Sequence, residues 1–295
     1  GIRDYKVTGV QTCALPISAH SAAAFCCQRP LPMPPPLRAR VIGAGPTGSL
    51  SALALVAAGW QVQLEDPLST AQLCERCRAY AFNHSSRRLL QRLGLWQAVS
   101  PLLVPFNTLA LIDSGVERSL RFASSDHAPD AALPVPQDDD GQQPIGWIGR
   151  HGPLMTLLLE RLRHEPNVQV LLGDSNGAAP GQPPRPPAFD LVIAADGPAS
   201  ATRAALGIRS WGWDYRQHCL TAEIELRGAP PDRAWEVFRP EGPMAVLPLG
   251  EGLAQLVWSA PASRCREREA LDPAAFLDRL SGVDRKSTRL NSSHL

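Results

Sequence analysis

The chain has 295 residues, with 29 lysines and arginines against 28 aspartates and glutamates and a formal net charge of +1. That length allows one large domain or two ordinary ones, and the charge balance leaves no electrostatic footprint for nucleic acid. The longest nearly uncharged apolar run near a helix pattern, Ser49 to Trp60, is too short to cross a bilayer.

Only Lys6 and Lys286 are lysines, both near the ends, while the interior is rich in Arg, Ala, Pro, Leu and Gly. The ends, GIRDYKVTGVQTCALPIS and RKSTRLNSSHL, differ in composition and resemble translated adapter read-through. Residues 1–32 are therefore read as a non-native or untranslated leader before Met33, and 286–295 as foreign. The competing reading of the leader is a targeting peptide, but Pro16 and His20 interrupt its apolar stretch. Seven cysteines, Cys13 among them, form no regular framework, so a reducing, cytoplasmic setting is expected. Cys74-Glu-Arg-Cys77 has no second pair and reads as two ordinary thiols.

In chain order, RARVIGAGPTGSLSALALVAAGWQVQLED predicts strand, glycine turn, helix and strand. Ala52, Leu55, Val56 and Gly59 form the helical stripe, and Val62 and Leu64 alternate in the second strand. SSRRLLQRLGLWQAV predicts a second helix with Leu89, Leu90, Leu93 and Trp96 on one side. NTLALIDSGVERSLRF predicts a hairpin turning at Asp113 to Gly115. The run Asp138 to Asp140 reads as a solvated loop. GPLMTLLLERLRH predicts a third helix with Leu154, Leu157, Leu158 and Leu162 inward; NVQVLL and DLVIAAD predict strands, with a proline-rich linker between. From Trp211 the chain reads as β-rich, with strands in LTAEIEL, WEVF, MAVLPL and LAQLVWSA. Asp272 as N-cap and Pro273 at the first helical position open a last helix.

Two constellations carry chemistry. Gly43-x-Gly45-x-x-Gly48 has the spacing of a dinucleotide turn. Its first glycine turns the chain, its second admits a pyrophosphate, and its third lets helix and strand pack. Asp66, at the end of the next strand, can accept from a ribose hydroxyl, with Glu65 as the alternative. Arg38 and Arg40 are at odds with a central parallel strand, which is usually apolar throughout. The second constellation is Asp196-Gly197-x-x-Ser200-x-x-Arg203, which follows an apolar strand. Trp211, Trp213, Trp235 and Trp258 are read as core or interface residues in preference to a substrate pocket. His84 and His218 are lone histidines and suggest no metal.

The Asp196 segment resembles the second cofactor motif of the FAD-dependent aromatic hydroxylases. CRAYAFNHSSRRLLQRLGLW resembles the family segment after the ribose acid, which implies an FAD contact for Arg78. AWEVFRPEGPMAVLPLGEGLAQLVWSAP resembles the substrate-domain strands of the ubiquinone-biosynthesis branch. The implied fold is α/β: a Rossmann-like FAD domain (33–103 and 146–210) with an inserted β-rich substrate domain (104–145 and 211–270). Residues 271–285 would begin a C-terminal helical part. The family's third motif, Gly-Asp followed by His, Pro and Gly-Gln-Gly elements, has no counterpart here, so the resemblance implies an incomplete chain. It further implies FAD, NAD(P)H as co-substrate, and O2-dependent hydroxylation of an aromatic or quinone-like small molecule, with peripheral membrane association. Gly43, Gly45, Gly48, Asp66, Arg78, Asp196 and Gly197 would hold the cofactor, and no protein nucleophile is required. Competing expectations are another flavoenzyme of the same fold, a halogenase or prenyl reductase, or a non-catalytic nucleotide-binding module.

Overall fold

The structure is a computed structural model that describes residues 35–116, 118–126, 143–173 and 189–286. The leader, Met33, the Asp138–Asp140 run, the body of the 173–188 linker and the 287–295 end lie outside the described residues.

In chain order the elements are β1 (Arg38–Ile42), α1 (Pro46–Ala57), β2 (Gln61–Asp66), α2 (Thr70–Cys74), β3 (Ala79–Phe82), α3 (His84–Arg92) and α4 (Trp96–Val99). There follow β4 (Leu103–Phe106), β5 (Thr108–Asp113), β6 (Arg118–Ala123), β7 (Gly146–Arg150), α5 (His151–His164), β8 (Val168–Leu172), β9 (Leu191–Ala194) and α6 (Ala201–Ala205). The last are β10 (Gln217–Glu225), β11 (Arg233–Phe238), β12 (Met244–Gly250), β13 (Leu253–Pro261), α7 (Ala262–Glu269) and α8 (Pro273–Lys286).

A four-stranded parallel sheet runs in the order β8-β2-β1-β9. Alternation along β1 and β2 explains how arginines sit in a central strand. Ala39, Val41, Val62 and Leu64 are buried; the last three pack with Ala52 and Leu53 of α1 and Leu154, Leu158 and Leu162 of α5. Arg38 and Arg40 point to the other face, in register with Gln61 and Gln63. There Arg40 pairs with Glu65. One face of this sheet is thus apolar and the other carries charges.

Two helices depart from expectation. In α1 the buried positions are Gly48, Ser49, Ala52 and Leu53, with Leu55 and Val56 half-buried. Gly59 lies beyond the helix at φ +85° and belongs to its ending, not to its stripe. The second helix is not continuous: α3 stops at Arg92, Gly94 takes φ +67°, and α4 begins at Trp96. Its inward pair is Arg87 and Leu90, which leaves Leu89 46% exposed. Arg87 earns that place by lying over the rings of Trp96 and Trp147, at 5.0 and 5.4 Å. The desolvation this imposes lowers its pKa.

The six-stranded sheet has the order β10-β13-β12-β11-β5-β6. The expected hairpin is β5 with β6, Thr108 facing Ala123 through to Asp113 facing Arg118. β11 joins it in parallel, Arg233 beside Thr108, so residues from two distant stretches share one sheet. Its core holds Val237, Val246, Leu256 and Trp258, covered by Phe276 and Leu280 of α8. Asp272 Oδ1 accepts from Ala275 N at 2.9 Å, as the cap predicts. Trp235 and Trp258 are core residues, but Trp211 and Trp213 are 86% and 62% exposed, which corrects the core reading for that pair. A three-stranded sheet, β3-β7-β4, was not foreseen. Phe106 and Ile148 from it pack with Ala234 and Leu249 of the larger sheet.

Candidate cofactor site

The glycine turn is built by contacts that tolerate no side chain at two of its three positions. Gly43 has φ +100°, and a Cβ there would lie 2.4 Å from the Ala195 carbonyl oxygen. A Cβ on Gly48 would lie 1.7 Å from the Gly43 carbonyl oxygen. A Cβ on Gly45 would meet nothing within 4 Å among the described residues, so open space faces the middle of the turn. Gly45 is the N-cap of α1, Pro46 follows at the first position, and no side chain caps the helix. The helix's first amide donors therefore have no intrahelical partner beyond Ser49 N to Gly45 O at 2.9 Å. Buried Ser49 clips the turn from within, its hydroxyl donating to Ala44 O at 3.0 Å. Nothing in the sequence pattern singled it out.

The two acids at the end of β2 separate by alternation. Glu65 faces the charged side of the sheet, paired with Arg40 and accepting from Gln63 Nε2 at 3.3 Å. Asp66 faces the turn: its Oδ2 accepts from Ala44 N at 2.8 Å and its Oδ1 from Leu68 N at 2.9 Å. It thus pins the glycine turn to β2, and each oxygen keeps a further lone pair for a hydroxyl donor.

β9 brings the second motif alongside. Ala195 N donates to Ile42 O at 2.7 Å, and Ile42 is in register with Ala194. Past the strand, Gly197 takes φ +89°. Asp196 then binds its own following turn: Oδ1 accepts from the Ser200 hydroxyl and Oδ2 from Thr202 N at 3.0 Å. Ser200 in turn caps α6, accepting from Arg203 N at 2.9 Å, and Arg203 donates to Pro198 O at 2.7 Å. Hydrogen bonds from Ser200 and then Thr202 hold the Asp196 carboxyl down at about 2, from an ordinary 3.8. The spacing of this motif is the spacing of a capped turn.

These pieces meet at the carboxyl ends of β1, β2 and β9, where the strand order reverses between β1 and β9. Such a switch point is where open α/β sheets form their ligand crevice. The residues fit the pyrophosphate of a dinucleotide: an uncapped helix start, open space at Gly45, and glycines where the backbones touch. Another cleft, lined by Arg38, Gln61, Gln63, Asn167 and Phe189, sits at the amino ends of the strands and shares none of these groups.

Arg78 is not drawn into this cluster by any hydrogen bond among the described residues; its side chain is exposed before β3. His151, near it, is buried and braced at both ring nitrogens. Nε2 donates to Leu73 O at 2.6 Å, because a carbonyl only accepts, and Nδ1 is hydrogen-bonded to Tyr80 Oη at 2.7 Å. Neighbouring Arg150 pairs with Glu223 of β10 at 3.3 Å. Cys74 ends α2 and Cys77 is exposed, and among the described residues no three His, Cys, Asp or Glu side chains gather as metal ligands. No helix of the described residues is long and apolar enough to cross a membrane.

Residues 37–142 match the family described as FAD binding domain. Proteins similar to this chain include ubiquinone-biosynthesis hydroxylases. The 3-demethoxyubiquinol 3-hydroxylase of Escherichia coli is 27% identical over 257 residues, covering 81% of this chain and 61% of that protein. Ubiquinone hydroxylase UbiL of Rhodospirillum rubrum is 30% identical over 240 residues, covering 74% and 51%. The chain therefore spans about half to three-fifths of the length of these relatives. The fold of this chain is similar to that of PqsL of Pseudomonas aeruginosa, described as a probable FAD-dependent monooxygenase. There the TM-score is 0.61 at 21% identity, over 83% of this chain and 66% of that one.

Proposed function

We propose that this protein is an FAD-dependent monooxygenase that uses NAD(P)H and O2 to hydroxylate an aromatic or quinone-precursor substrate. The observation that carries the reading is the contact of two strand ends 152 residues apart in sequence, Gly43 against Ala195. A long dinucleotide needs two such ends, and one nucleotide-sized site needs one. The hydroxylase of Escherichia coli that resembles it supplies the substrate class.

In this reading Gly43, Gly45, Gly48 and the start of α1 hold the pyrophosphate, and Asp66 accepts from the adenosine ribose. Asp196 and Gly197 border the flavin side, and Arg78 is a further contact. Asp196 acts through its turn: with both carboxylate oxygens bonded to Ser200 and Thr202, it fixes the Gly197 backbone that the cofactor meets. FAD, when bound, would supply the redox chemistry that links NAD(P)H and O2. The chain's own part is to bind, orient and exclude water, so no side chain need act as nucleophile. Residues 33–103 and 146–210 serve the cofactor, and 104–145 and 211–270 the substrate. A quinone precursor is apolar, and peripheral attachment to a membrane fits its supply.

Titrating the purified chain with FAD, with flavin absorbance and fluorescence quenching as readouts, tests the site. Gly45→Ala separates cofactor binding from folding, since the added methyl meets nothing in the protein itself. The variant should keep the wild-type unfolding midpoint yet bind FAD about tenfold more weakly, the loss of roughly one charge-assisted hydrogen bond. Equal FAD affinity in both would remove the turn from the site. Substrate-stimulated NAD(P)H oxidation with a hydroxylated product separates the monooxygenase from other flavoenzymes.

A further inference from the structure

Between α6 and β10 the chain leaves regular structure and sets out a row of bare aromatic rings. Trp211, Trp213 and Tyr215 are 86%, 62% and 74% exposed. They alternate with Gly212 and Asp214, and their rings meet edge-on, Trp211 to Trp213 at 5.1 Å and Trp213 to Tyr215 at 5.8 Å. Leu206 and Ile208, also exposed, extend the apolar run. Three aromatics in contact with one another and with water form a patch of the kind that marks an interaction site.

We propose that this row is a docking surface for a phospholipid bilayer. The inference rests on the peripheral-membrane part of the reading above and names the surface responsible. The residue types favour an interface over a dry protein contact. Tryptophan and tyrosine carry an apolar body and one polar tip, the combination that concentrates at headgroup depth. The flanking charge points the same way. Arg209 and Arg216, both exposed, stand against the single acid Asp214, whose carboxylate accepts from Arg216 N at 2.7 Å. The segment that bears the exposed rings thus carries two arginines to one acid, an excess complementary to phosphate headgroups. A second copy is the weaker occupant, because a two-fold contact presents the same patch to itself and sets arginine against arginine.

Co-sedimentation of the purified chain with vesicles tests this, using phosphatidylcholine alone and phosphatidylcholine mixed with phosphatidylglycerol. The wild type should sediment with the mixed vesicles, and the Trp211→Ser/Trp213→Ser/Tyr215→Ser variant should lose most of that binding while keeping its circular dichroism and unfolding midpoint. Arg209→Gln/Arg216→Gln should weaken binding to the mixed vesicles by about fivefold per arginine and leave binding to phosphatidylcholine alone unchanged. A serine variant that sediments like the wild type overturns the assignment of the surface but not membrane association. A wild type that ignores both vesicle types overturns both. A dimer in gel filtration that the serine variant breaks, without vesicle binding, gives the patch to a second copy and overturns the proposal. FAD uptake, measured alongside, reports separately on the flavoenzyme reading.

Discussion

Gly45 and Gly48 belong to one turn and are glycine for opposite reasons. Gly48 has no room inside the protein, and Gly45 has room only outside it. The second case is the informative one, because folding alone does not demand it. Asp196 shows a similar division between architecture and ligand. Its carboxyl titrates at about 2 because Ser200 and Thr202 hydrogen-bond the ionised form. A folded value below the unfolded one means that the bonds stabilise the turn fully above about pH 4 and lose that effect as pH falls toward 2. Urea midpoints measured across that interval should drop more steeply for the wild type than for Asp196→Asn. If the two curves run parallel, the carboxylate contributes nothing to the turn. The glycines were legible as a turn because their spacing is local. The role of Asp196 was not, since a strand-end acid looks the same whether it faces a ligand or its own helix.

At the scale of elements, α7 is fastened to the six-stranded sheet by charge stacked on an indole. Arg268 of α7 lies 3.9 Å from the Trp258 ring centroid and Arg239 lies 5.5 Å from it. Both guanidiniums turn to Glu241, Arg268 through bonds of 2.6 and 2.7 Å and Arg239 at 3.4 Å. Burial lowers the pKa of Arg239. Glu241→Gln removes the one carboxylate these cations share, and should cost about 1–3 kcal/mol in urea denaturation, the range for a buried polar group left unsatisfied. A smaller change would mean that the ring, not the acid, holds the helix. This clamp was invisible in the sequence, as was the burial of Arg87 under Trp96 and Trp147, because the partners are brought together only by the fold. Local signals read well by contrast: the β5–β6 hairpin, the Asp272 cap and the inward leucines of α5 each depend on neighbours a few residues away. The strands β3 and β4, at four residues each, were too short for their alternation to show.

For the molecule as a whole, a cofactor that bridges β1, β2 and β9 should couple occupancy to global stability. At a free FAD concentration a hundredfold above Kd, linkage gives about 2.7 kcal/mol of added stability. Thermal scans with and without FAD should show the corresponding rise in Tm, and an unchanged Tm would place binding, if any, outside the folded sheet.

The parallel seam between β5 and β11 has a consequence for how the protein is made. Emerging from a ribosome, the β5–β6 hairpin has one strand edge with no neighbour until Phe238 has been synthesised. At common elongation rates that wait lasts roughly ten seconds. During it the hairpin, with Leu120 and Phe122 facing water even in the finished fold, is a ready target for strand-seeking chaperones or for other nascent chains.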